Sequence, residues 1–228
     1  QSGVVQAFSK FGRRTMYEWC DKAYEAVKEL DQEFSNWLCI PKSIRMTSIK
    51  PSGTVSLLNG STPGIHFPED EYYIRRIRFS KDSDLLPTLA DAGYPIEDDA
   101  YSPNTSVVSF PVQEAHYYKG KKDVTMWEQL EIAAQYQHYW ADNSVSVTVT
   151  FQPEEEGQIK NALEMYETRL KAVSFLRLSN TGYEQAPYEA IDVETYNKMV
   201  EGIIPVQRFE TNQQGAGTKF CDSESCTI

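Results

Sequence analysis

The chain has 228 residues, with 22 Lys and Arg against 33 Asp and Glu, a formal charge of −11. That length can bury a core. The 40% hydrophobic and 24% charged content excludes wholesale disorder, and no run approaches the roughly 18 apolar residues of a membrane span. The acidic balance excludes general affinity for nucleic acid, which draws on Lys and Arg, but allows one local anion site. Four cysteines are too few for a disulfide scaffold.

Gln1-Ser2-Gly3-Val4 shows neither a secretory pattern nor an initiator Met, so a piece of a longer chain is expected. From about Thr15 to Leu38, Met16, Trp19, Ala23, Val27, Leu30, Phe34 and Leu38 recur at steps of three and four, which predicts an amphipathic helix. Ile44–Ile49 reads as a short strand running into Lys50-Pro51-Ser52-Gly53-Thr54, and Val55–Leu58 as the start of a helix. Residues 59–68 carry two Gly and two Pro and read as loop. Tyr72–Phe79 predicts a strand interrupted by Arg75, Arg76 and Arg78. Ser83–Ala92 predicts a helix stopped by Gly93, and Asn104–Phe110 another strand. Thr125-Met126-Trp127-Glu128 has the spacing of a capping box and opens a helix to about Ala141. Ser144–Phe151 alternates strictly, with Val and Phe on one face and Ser and Thr on the other. Pro153 with Glu154–Glu156 marks a helix start. A short helix follows Asp192, and from Thr211 the apolar periodicity ends in a Gln- and Gly-rich linker and a tail. Helices alternating with short strands predict an α/β fold.

Two places can carry chemistry. Ser52, Gly53, Thr54 and Ser56 sit where a loop enters a helix. Backbone N–H groups and the dipole favour an anion there, Gly53 permits close approach, and the hydroxyls add donors. The pattern lacks the Gly-Lys-Ser/Thr of a P-loop, and a plain helix cap explains the same residues. The second place is the tail, where Cys221 and Cys226 are separated by four residues. A mobile dithiol can close to a disulfide and exchange with another, while a zinc site would need two further ligands that are not nearby. Two incidental exposed cysteines remain an alternative. Cys20 and Cys39 read as core residues, His138 as packed, and His66, His116 and His138 have no metal-ligand spacing. The three arginines read as an anion patch or as partners of Asp82 and Asp84.

Ile49-Lys50-Pro51-Ser52-Gly53-Thr54-Val55-Ser56 followed by Gly64-Ile65-His66-Phe67 resembles the substrate-phosphate loop of ribonucleotide reductases. Tyr139-Trp140-Ala141-Asp142-Asn143-Ser144-Val145-Ser146, Tyr183-Glu184-Gln185-Ala186-Pro187 and the terminal Cys-x4-Cys resemble the adenosylcobalamin-dependent, class II monomeric ribonucleoside-triphosphate reductases. The resemblance implies the C-terminal part of a ten-stranded α/β barrel, with residues 1–210 in the barrel and 211–228 as a flexible redox tail. It implies reduction of ribonucleoside triphosphates to 2′-deoxyribonucleoside triphosphates by cobalamin-initiated thiyl-radical chemistry. Pro51, Ser52, Gly53, Thr54 and Ser56 would hold the substrate phosphates, and Cys221 and Cys226 would shuttle reducing equivalents from thioredoxin. The family's Asn-Pro-Cys-Gly-Glu stretch and its radical cysteine do not occur in this chain. They are expected on an upstream N-terminal portion, which would share the cobalamin and without which the chain would not turn over. The implied setting is cytoplasmic, with no membrane or nucleic-acid partner. A diphosphate-using reductase segment, or a non-catalytic nucleotide-binding module with a redox-sensitive tail, are the competing readings.

Overall fold

The computed structural model describes residues 1–53, 55–178 and 184–206. Thr54, Cys221 and Cys226 lie outside the described residues.

The axis of the fold is a helix, α4 (Met126–Tyr139). Thr125 opens it as predicted, its hydroxyl accepting the Glu128 N–H at 3.2 Å. The other half of the capping box does not form, because the Glu128 carboxylate is taken by Arg13 and Lys119. Met126, Leu130, Ile132, Ala133, Ala134 and Tyr136 are all buried. A helix buried along most of its surface, with only Glu128, Glu131, Gln135 and His138 on one polar stripe, belongs near the centre. One side of α4 joins α1 (Val4–Phe11) and the first turns of α2 (Arg13–Leu38) through Val4, Val5, Phe8 and Cys20. The other side joins β4 (Thr148–Phe151) and α5 (Ile159–Tyr166) through Val149, Phe151, Ala162 and Tyr166.

β4 pairs in parallel with β5 (Ser174–Arg177), with α5 as the crossover. Val145 makes one parallel bridge to Ile49. The predicted strand over 44–49 therefore reduces to that bridge, and Ile44 is 96% exposed. The larger sheet is antiparallel, in the order β2-β3-β1-β6. β1 (Tyr72–Ser80) and β3 (Thr105–Gln113) pair along their whole length, from Tyr72 opposite Gln113 to Ser80 opposite Thr105. β2 (Ile96–Asp98) and β6 (Tyr188–Ala190) flank them. α3 (Leu85–Asp91) and α6 (Val193–Glu201) complete the chain. Asp192 caps α6 by accepting the Thr195 N–H at 2.7 Å. These two small sheets give an α/β fold and do not by themselves close a ten-stranded barrel.

Local predictions needed four further corrections. The alternating strand predicted over Ser144–Phe151 forms only from Thr148, because Val145 makes a single bridge to Ile49. The helix expected at Val55 is a single 3-10 turn, Ser56–Asn59. The acidic start at Pro153 is a 3-10 segment to Gln158, followed by α5. There Glu155 accepts the Gln152 N–H and the Met126 N–H, both at 2.9 Å, so one carboxylate caps two helical starts. α1 is an unpredicted element, set off from α2 by Gly12 at φ 77.

Gly93 carries the junction of α3 and α6. Its φ is 85, and a Cβ there would lie 2.3 Å from the Gly202 carbonyl oxygen. Both chirality and space demand glycine. Gly93→Ala is expected to cost about 2 kcal/mol or more in urea unfolding. Gly157→Ala, whose Cβ would meet nothing within 4 Å, should leave stability unchanged or raise it by up to about 1 kcal/mol. Equal effects at the two sites would contradict the packing described.

Candidate functional site

The Pro51–Ser56 loop is shaped by its own chain. Gly53 N–H donates to Pro51 O at 2.9 Å and Ser56 N–H to Ser52 O at 2.9 Å. The Ser56 hydroxyl also donates to Ser52 O at 2.5 Å, and Ser56 is buried. Ser52 and Ser2 share a hydroxyl–hydroxyl hydrogen bond of 3.0 Å. Ser56 therefore builds the loop, while Ser52 stays partly exposed. A 3-10 turn of four residues has little of the macrodipole of a full helix, so anion attraction here needs a real charge nearby.

The second half of the loop motif packs beneath the first. Gly64, at φ 54, lies so close that a Cβ would sit 3.1 Å from Lys50 O. Ile65 and Phe67 are buried. His66 spans the two halves of the site. Its Nδ1 lies 3.1 Å from Pro63 O, and its Nε2 accepts the Thr148 N–H at 3.1 Å. That pair of bonds fixes the neutral tautomer with the proton on Nδ1. Burial lowers the pKa of His66 below its usual value.

A cavity of about 310 Å³ opens between these elements, walled by Pro51, Gly53, His66, Glu114, Lys121 and Tyr188 among others. The Lys121 ammonium pairs with Glu69 at 2.8 Å and lies 5.4 Å from the centre of the Tyr188 ring. The Arg75 guanidinium lies over the same ring at 4.3 Å. The Tyr188 hydroxyl faces the loop, 3.6 Å from where a Gly53 Cβ would be. At the floor, Glu114 is buried and accepts hydrogen bonds from Gln6 at 2.9 Å and Tyr73 at 3.3 Å. Burial raises its carboxyl pKa above the usual range.

Two other sequence motifs turn out to be anchors for this site. Asp142 accepts from the Tyr24 hydroxyl at 2.8 Å and the Met46 N–H at 2.9 Å, while Trp140 Nε1–H donates to Ser48 O at 3.2 Å. The Trp140–Asn143 stretch thereby fastens the segment that leads into the loop. The arginines of β1 clamp the stretch before β6. Arg75, Arg76 and Arg78 donate to the carbonyls of Pro187, Ala186 and Gln185 at 3.1–3.2 Å. Arg78 also pairs with Asp99 at 3.1 Å and Arg76 with Glu189 at 2.5 Å, rather than with the Asp82 and Asp84 nearer in sequence. Gln185, at φ 57, bonds the Asp98 carbonyl and the Ala100 N–H. These interactions place Tyr188. Sequence reasoning missed Tyr188, Lys121 and Glu114 because each reaches the cavity from a separate element. The clustering of Arg75, Arg76 and Arg78 on one strand was the available signal.

Of the remaining expectations, Cys20 is buried as read, but Cys39 is exposed at the C-cap of α2 with φ 53. His138 is exposed too, edge-on to Tyr139. Among the described residues no group of His, Cys, Asp or Glu fits a metal ion, and no helix is long and apolar enough to cross a membrane.

Comparison with known proteins bears on this arrangement. No family model matches. The chain is 47% identical over its whole length to a Dictyostelium discoideum protein named as a probable adenosylcobalamin-dependent ribonucleoside-triphosphate reductase, covering 31% of it. It is 41% identical over 99% of its length to the Euglena gracilis adenosylcobalamin-dependent ribonucleoside-triphosphate reductase, covering 32% of that chain. A crystal structure of a B12-dependent (class II) ribonucleotide reductase superposes with a TM-score of 0.73 at 38% identity, over 83% of this chain and 27% of that one. This chain belongs to the adenosylcobalamin-dependent ribonucleotide reductase family. It spans about a third of the length of the curated relatives it matches.

His66 makes the site's integrity depend on pH. Because its folded pKa is lowered, its contribution to stability is complete above the unfolded value of about 6.5 and is lost as pH falls through the folded value. Protonation also removes the acceptor for Thr148. Between about pH 7.5 and about pH 5 the urea midpoint of the chain should fall more steeply than that of His66→Ala, which starts lower. Parallel slopes would contradict this role.

Proposed function

We propose that this chain is the substrate-phosphate and reductant-relay segment of a reductase that converts ribonucleoside triphosphates to 2′-deoxyribonucleoside triphosphates in the cytoplasm. A ten-stranded barrel would be completed by the rest of the reductase, with residues 1–210 in the barrel and 211–228 as the redox tail. The observation that carries the reading is the cavity where the side-chain-free face of Gly53 meets the Tyr188 hydroxyl, with the Lys121 ammonium on the same wall. A phosphate is an anion that must come close to backbone. Gly53 offers the approach, the Ser52 hydroxyl and Thr54 the donors, and Lys121 the charge. Pro51 and Ser56 set the curvature of the loop. The relatives' names specify triphosphate substrates and adenosylcobalamin.

Adenosylcobalamin would supply the initiating radical for the whole reductase. A cavity of about 310 Å³ is at the small end for ligand sites. It suits the phosphate end of a nucleotide and not a corrin ring, so the described residues do not by themselves form the cofactor site. The radical cysteine belongs on the N-terminal portion of the reductase. Cys221 and Cys226 would deliver the reducing equivalents. By exchange, their two thiols would pass two electrons and two protons to the disulfide that turnover leaves on the substrate-reducing cysteine pair of the reductase, becoming a disulfide themselves, and the dithiol of thioredoxin would reduce that disulfide in turn.

Gly53→Ala separates binding from folding, since the new Cβ meets only Tyr188 at an ordinary contact distance. In the complete reductase the KM for ribonucleoside triphosphate should rise roughly tenfold, about 1.4 kcal/mol, with unfolding stability unchanged. An unaltered KM would sink the phosphate role. Replacing Cys221 or Cys226 by Ser should abolish repeated turnover with thioredoxin while sparing a single turnover. Normal steady-state turnover in either variant would sink the relay.

A further inference from the structure

α2 packs on its own chain with the less apolar of its two faces. Tyr17, Cys20, Tyr24, Asp31 and Ser35, again at steps of three, four and seven, point inward. Tyr17 stacks on Tyr139 at 5.7 Å, Cys20 and Ser35 are buried, and Tyr24 reaches Asp142. Asp31 holds the chain that returns from the helix, accepting the Ser43 N–H at 3.0 Å and its hydroxyl at 2.5 Å. Beyond Met16, which packs on the core, and Trp19, whose ring meets Phe11 of α1 at 5.1 Å, the predicted apolar stripe is rotated off this face. Trp19 is 48% exposed, Leu30 51%, Phe34 46% and Trp37 67%, and Ile40 continues the patch past the helix end. The rings of Phe34 and Trp37 meet edge-on at 5.1 Å, so the patch is already ordered. Of the helix charges, Asp21, Glu25 and Lys28 lie opposite the stripe, while Lys22, Glu29 and Glu33 flank it as a polar rim. A stripe of large apolar side chains along a helix of 26 residues, about 39 Å at 1.5 Å per residue, is not a normal solvent surface.

We infer that the Trp19–Leu30–Phe34–Trp37 stripe of α2 is the docking surface for the part of the reductase that the relatives carry and this chain does not. The inference rests on the family reading above. It commits to that occupant because the full length of this chain, α2 included, aligns within relatives about three times as long. Relatives of that length carry ample further chain to cover such a surface, and the stripe is an ordered apolar surface on the side of α2 away from the segment's own core. A second copy of the chain is the competing occupant.

Hydroxyl-radical footprinting of the isolated chain and of the complete reductase decides between them. In the complete reductase, labelling of Leu30, Phe34 and Trp37 should drop to the level of the buried Tyr136. In the isolated chain it should stay high and independent of concentration. Phe34→Asp in the complete reductase should restore labelling at Leu30 and Trp37. Because Phe34 is exposed, the isolated variant should keep the far-UV dichroism of the parent. Undiminished labelling in an active complete reductase would overturn the docking surface and leave the functional reading intact. Protection that grows with concentration in the isolated chain would assign the stripe to a second copy. A protected stripe in a complete reductase that does not reduce ribonucleotides would retain the docking surface and remove the functional reading.

Discussion

The carboxamide of Gln129, buried on α4, is the interaction on which the site depends. Its Oε1 accepts the Thr150 N–H at 2.9 Å and its Nε2 donates to Thr150 O at 2.8 Å, as a neighbouring strand would do. β4 is thus tied to the central helix as well as to β5. An amide buried this deeply would cost about 1–3 kcal/mol if left unpaired, so β4 has one position relative to α4. That position sets Thr148, whose N–H meets His66. At its other end, α4 exits into Trp140 and Asp142, which hold the segment entering the Pro51–Ser56 loop. One buried helix thereby fixes two walls of the cavity, and β1 fixes the third through its arginine clamp on residues 185–187.

The geometry divides labour within the loop motif in a way that its residue types alone do not reveal. By residue type alone, Ser52, Gly53, Thr54 and Ser56 look equivalent as phosphate-facing positions. In the fold, Ser56 is consumed by loop curvature and Gly64 by the packing of one half of the motif under the other. Gly53 is left facing the cavity. The cation on the cavity wall is Lys121, more than 60 residues away, paired with Glu69 and near the Tyr188 ring. Net charge therefore says little about this site. An acidic chain presents one ammonium group where the backbone is bare.

Elements whose signal is local were legible. The α2 stripe, the Thr125 cap, the pairing-length strands β1 and β3 and the Asp192 cap all follow from spacing and side-chain chemistry within one segment. Elements that exist through a partner were not. β2, β5 and β6 are three or four residues long and are strands because β3, β4 and β1 offer them ladders. Cys39 sits where periodicity suggests core, but a left-handed C-cap turns it to solvent. The stripe on α2 shows the same limit from the other side: periodicity identified an apolar face correctly and could not tell that this chain leaves it uncovered. Within the candidate site, the Pro51–Ser56 loop was singled out from its motif, whereas His66, Lys121, Glu114 and Tyr188 come together around the cavity only through tertiary placement.

The central claim is that the cavity bounded by Gly53, His66, Lys121 and Tyr188 receives the phosphates of the substrate. A crystal structure of the complete reductase with a ribonucleoside triphosphate bound tests it most directly. The account predicts phosphate oxygens against the Cα of Gly53 and within hydrogen-bond reach of the Ser52 hydroxyl, with the Lys121 ammonium as the nearest cation from this segment. Phosphates seated away from the Pro51–Ser56 loop would contradict it.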